Sequence, residues 1–81
     1  MQLAYKYLVQ KGDAMNVGGR GIRVADICAR YDQGEKPEEA AEAYGLPLAA
    51  VFEALAYAAD HPEEIRKVLE EDAEAYVRAK V

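Results

Sequence analysis

The sequence has one cysteine (Cys28), one histidine (His61), one phenylalanine (Phe52) and no tryptophan. A single cysteine excludes an intramolecular disulfide and fits a reducing, cytoplasmic setting. One histidine and one cysteine on separate helical segments make a poor zinc site, and as a nucleophile–base pair they would have to touch. No apolar run approaches the ~20 residues that cross a bilayer, so no membrane partner is expected. The start, "MQLAYKYLVQK", has neither the basic opening nor the small-residue cleavage site of a signal peptide. The glycine-rich "VGGRGIRV" lacks the spacing of a phosphate-binding loop and reads as a hinge. No carboxylate pair lies in an apolar setting. The expectation is a protein that is not an enzyme, with no catalytic residue, no cofactor and no metal.

What is present is a small, alanine-rich chain of 81 residues, 52% of them hydrophobic. That length predicts a single domain, 1–81, with a thin core. Its pieces are a β-hairpin over 1–19, a helical core over 22–61 and an acidic last helix over 62–80. The fold class is mainly α, in the α+β sense, with three to four helices after the hairpin.

The hairpin rests on "LAYKYLV", where Leu3, Tyr5, Tyr7 and Val9 fall on one face with Lys6 on the other, as in a strand. "QKGDA" makes the turn and "MNV" a short return. A two-stranded hairpin is marginal alone in water. A homodimer is therefore expected, with Tyr5 and Tyr7 of the hairpin or Leu69 and Tyr76 of the last helix at its interface.

Downstream the period changes. Val24, Ile27, Cys28 and Tyr31 make one helical stripe, which places Cys28 in the core. Pro37 and Pro62 suit first helical positions, and the Glu-Glu pairs after them suit the positive end of a helix dipole. Leu48, Val51, Phe52, Leu55 and Ala59 make the apolar stripe of a further helix. Between the two middle helices Ala41, Gly45, Leu46 and Val51 have the small–glycine–aliphatic spacing of a helix-turn-helix.

Base readout needs donors and acceptors near the start of the second helix of such a unit. Here those outward positions are Pro47, Leu48, Ala49 and Glu53. Charge points the same way. The net −5 is split into +2 over residues 1–36 and −7 over 37–81. Lys6, Lys11, Arg20, Arg23 and Arg30 are the candidates for contact with a nucleic-acid backbone. They would touch phosphate rather than bases, so DNA binding is expected to be weak.

The ordered pieces resemble the family catalogued as domain of unknown function 433, from Tyr5 to about Tyr76. The resemblance rests on the tyrosine-rich first strand, "GGRGIRVADI", "PEEAAEAYGLPLAAVFEALAYAADHPEEI" and the acidic last helix. The departures are the missing threonine before the arginine, with Gly21 between Arg20 and Ile22, Lys36 where a capping serine is usual, and Pro47 where a Thr or Ser follows the turn leucine. The resemblance implies a homeodomain-like helical fold behind a β element. It also implies a VapB-type antitoxin that neutralises a PIN-like ribonuclease toxin, a basic protein partner, by protein–protein contact. The alternatives are a DNA-binding regulator and a non-catalytic accessory subunit.

Overall fold

The structure, a computed structural model, describes residues 5–19 and 21–80. Leu3 and Arg20 lie outside the described residues. Three strands precede four helices: β1 Leu8–Lys11, β2 Ala14–Val17, β3 Ile22–Arg23, α1 Val24–Asp32, α2 Pro37–Tyr44, α3 Leu48–Asp60 and α4 Pro62–Lys80. The sheet is antiparallel in the order β1-β2-β3. Gly12, at φ 57°, lets a two-residue turn join β1 to β2, with Lys11 opposite Ala14.

The hairpin differs from its sequence-based outline in three ways. β1 starts at Leu8, so the tyrosines form a lead-in to the strand. Leu8 packs on the core, whereas Val9 is 46% exposed. Past the glycines, Ile22 and Arg23 form a third strand, β3, which pairs Asn16 with Arg23 and Val17 with Ile22. With this third strand, and with contacts from β1 to α3 and from β2 to α1, the sheet finds its support inside the chain. An unsupported hairpin therefore gives no reason for dimerisation.

Two helix starts use the same device. The Asp26 carboxylate accepts a hydrogen bond from the Arg23 backbone N–H at 3.0 Å, and Glu39 accepts one from the Lys36 N–H at 2.9 Å. Each satisfies a donor that the helix itself leaves unpaired. Lys36 has no capping hydroxyl, and the Glu39 N–H that one would cap donates instead to the Lys36 carbonyl at 3.0 Å. Pro37 and Pro62 open α2 and α4. Gly45 ends α2 in the left-handed conformation at φ 66° and ψ 38°, and the Leu46 N–H closes on the Ala41 carbonyl at 2.9 Å.

The core is built around alanines. Ala25, Ala40, Ala41, Ala50 and Ala54 are buried together with Val17, Val24, Ile27, Val51 and Tyr57. Small side chains let helices approach closely, and α3 uses them as its inward side. This rotates α3 from its expected orientation. Of the stripe Leu48, Val51, Phe52, Leu55 and Ala59, only Val51 is fully buried. Leu48 is 40% and Phe52 50% exposed, and Ala59 is exposed. Tyr31 turns outward from α1 in the same way, at 52%.

Candidate functional site

The outward side of α3 is the surface that needs explanation. Leu48, Ala49, Phe52, Ala56 and Ala59 are its exposed residues up to Ala59, and every one is apolar. A helix that is apolar on all sides is ordinarily buried on all sides. Only Asp60, at the last position, adds a charge to this side. Glu53 is half-buried and accepts a hydrogen bond from the Tyr7 backbone N–H at 2.9 Å. Of the four positions where a base-reading helix would carry polar groups, Glu53 is therefore tied to the lead-in of β1. Pro47, Leu48 and Ala49 offer no side-chain hydrogen bond.

Leu48, Phe52, Leu55 and Ala59, at intervals of i, i+4, i+7 and i+11, form a ridge along one flank of this side. The ridge leads into a groove of about 570 Å³ between α1, α3 and α4. Cys28, Tyr31, Leu55, Ala59, Ile65 and Leu69 line it, with Asp32 and Arg66 at its margin. Burial, then the nearby Asp32 carboxylate, push the Cys28 thiol pKa above its ordinary value. Cys28 is consequently a poor nucleophile.

The charges around this track are one-sided. Between Lys36 and Arg66 there is no lysine or arginine, while the α2–turn–α3 pair carries Glu38, Glu39, Glu42, Glu53 and Asp60. Glu38 and Glu42 are exposed.

The basic candidates lie elsewhere and are largely engaged. Arg23 grips Asp26 and Asp72, each at 2.7 Å, clasping the start of α1 to α4. The same contact holds the Asp72 carboxyl below the usual carboxylate range. Arg30 makes two bonds to Glu35, at 2.6 and 2.7 Å, and lies 4.9 Å from the Tyr44 ring centroid. Lys6 stands 5.3 Å from the ring centre of Tyr7. Lys11 reaches the Gly19 carbonyl at 3.5 Å. Arg20 lies outside the described residues. Arg23 and Arg30 are thus spent on pairs within the chain.

Ala41, Gly45, Leu46 and Val51 come together at the α2–α3 junction. Of the residues expected at a dimer interface, Tyr5 and Tyr7 pack on the chain's own core. The Tyr5 ring meets Tyr57 edge-on at 5.7 Å, and its hydroxyl reaches Asp60 at 3.4 Å. Leu69 lines the groove, and Tyr76 is 63% exposed. His61 stacks on Tyr57 at 4.3 Å, and the Tyr57 hydroxyl donates to Glu64 at 2.8 Å. This cluster fastens the lead-in of β1 to the α3–α4 corner, a role for Tyr57, His61 and Glu64 that residue spacing alone did not reveal. Among the described residues no group of three or more His, Cys, Asp or Glu side chains is placed to hold a metal ion. No helix among them is long and apolar enough to cross a membrane.

Sheet, alanine-packed helices and the glycine-capped α2–turn–α3 pair define a small, mainly helical protein whose α3 stands open to solvent. The chain belongs to the family described as Protein of unknown function (DUF433), whose sequence profile matches residues 14–58. That span runs from the start of β2 to Ala58, in the last turn of α3. No curated protein and no solved structure matches the chain.

Proposed function

We propose that this protein works by protein–protein contact through the α2–turn–α3 pair. In this reading it is the antitoxin half of a toxin–antitoxin pair, and its partner is a basic, PIN-like ribonuclease. The observation that carries the proposal is the outward side of α3, apolar up to Asp60, on a unit with five carboxylates and no lysine or arginine. Such a surface is repelled by phosphate and has no groups for reading bases. It suits a cationic protein surface, where apolar burial supplies affinity and charge supplies orientation and speed. The homeodomain-like arrangement is, on this proposal, a scaffold for holding that face rather than a DNA reader.

The test is inhibition of the protein encoded by the adjacent reading frame. Its RNA cleavage should fall to background as this chain is added to stoichiometric amounts, and the two should co-elute by size-exclusion chromatography. Undiminished cleavage in a large molar excess of the chain would remove the antitoxin reading.

A further inference from the structure

The ridge and the groove together specify what kind of segment covers them. We propose that the occupant is a basic amphipathic helix of the partner, lying along α3 with its apolar side over Phe52 and into the groove beside Leu55. This rests on the docking function proposed above and adds the partner's chemistry. The first observation is geometric. Leu48, Phe52, Leu55 and Ala59 lie along one helix flank, and at ~1.5 Å per residue the track is about 17 Å long. That equals about three turns of a second helix, whose i, i+3, i+4 and i+7 side chains anchor in such a groove. Tyr31 and Leu69 extend the apolar lining on the far side of the groove.

The second observation is charge complementarity. The described arginines Arg23, Arg30, Arg66 and Arg78 are all paired with carboxylates. The side-chain carboxylates of Asp32, at the groove margin, and of Glu38 and Glu42, on the exposed side of α2, make no hydrogen bond or ion pair with described residues. The charge left unpaired on this unit is therefore negative. An acidic partner, or a nucleic acid, would bring like charge to it. A second copy of this chain, at −5, would do the same.

The experiment uses the full chain and two synthetic probes, followed by amide chemical shifts. One probe is a helix of leucine and lysine with leucines at i, i+3, i+4 and i+7. The other has glutamate in place of every lysine. The lysine probe should shift the amides of Leu48, Phe52, Leu55, Ala59 and Leu69, and the glutamate probe should not. Phe52→Ser, at an exposed position, should keep the helical circular dichroism and weaken the lysine probe on the order of tenfold or more. Glu42→Lys should weaken it too. Equal binding of the lysine probe to the native chain and Phe52→Ser overturns the proposal, since charge alone would then explain it. So does a homodimer that excludes the probe and that Phe52→Ser dissolves. If the adjacent-frame protein binds the native chain and Phe52→Ser equally, this assignment of the face fails while the antitoxin reading stands. If the probe behaves as expected but that protein does not bind at all, the antitoxin reading fails and the face stands.

Discussion

Cys28 and Tyr57 show how burial changes what a side chain can do. Cys28 is at 9% exposure, and its thiol is held in the neutral form. Native-state labelling by thiol reagents should be slow and should accelerate on unfolding. Cys28→Ser should cost about 1–3 kcal/mol by burying a hydroxyl, read from denaturant unfolding. Fast labelling of the folded protein would contradict this placement. For Tyr57, burial first and then the Glu64 carboxylate push the phenol up to about 12 from 10.0. The folded state therefore keeps the phenolic proton longer than the unfolded chain does. The resulting stability is fully present below pH 10 and is lost as pH rises toward 12. The urea midpoint of the native chain should fall across that window more than that of Tyr57→Phe. Equal falls would mean that Tyr57 contributes nothing to alkaline stability.

At the scale of elements, much of the layout was legible in the sequence. The Pro-Glu-Glu openings mark α2 and α4, Gly45 marks the end of α2, and the i, i+3, i+4 spacing from Val24 to Cys28 marks α1. These signals are local, set by chemistry within one turn. Two features depended on partners far along the chain. β3 has only two residues, and it is a strand only because β2 lies beside it. The orientation of α3 is the other, since a helical pattern alone points its large apolar residues to the core. In fact Ala40, Ala41, Ala50 and Ala54 permit close packing and push Leu48 and Phe52 outward. The open face was nonetheless visible in part, as the absence of Lys, Arg, Asn and Gln from α3. Gly45 offers a direct check on this level. A side chain in its left-handed conformation costs roughly 1–2 kcal/mol, so Gly45→Ala should lower stability by about that amount. An unchanged denaturant midpoint would show that the turn does not need that conformation.

For the whole molecule, the distribution of charge decides between a nucleic-acid and a protein partner. The positive residues cluster in the first 36 positions, where Arg23 and Arg30 are consumed by intramolecular pairs. The helices that follow carry −7 over residues 37–81. Binding of the isolated protein to its own upstream DNA should not exceed the non-specific range of about 10⁻⁴–10⁻⁶ M, and should weaken steeply with salt. A nanomolar, sequence-selective complex at physiological salt would return α3 to the role of a DNA reader. The central claim, that the open side of α3 is a protein-docking face, is tested most directly by calorimetric titration of the adjacent-frame protein with the native chain and with Phe52→Ser. Affinity should fall on the order of tenfold or more with the fold intact. Identical affinity for the two would contradict it.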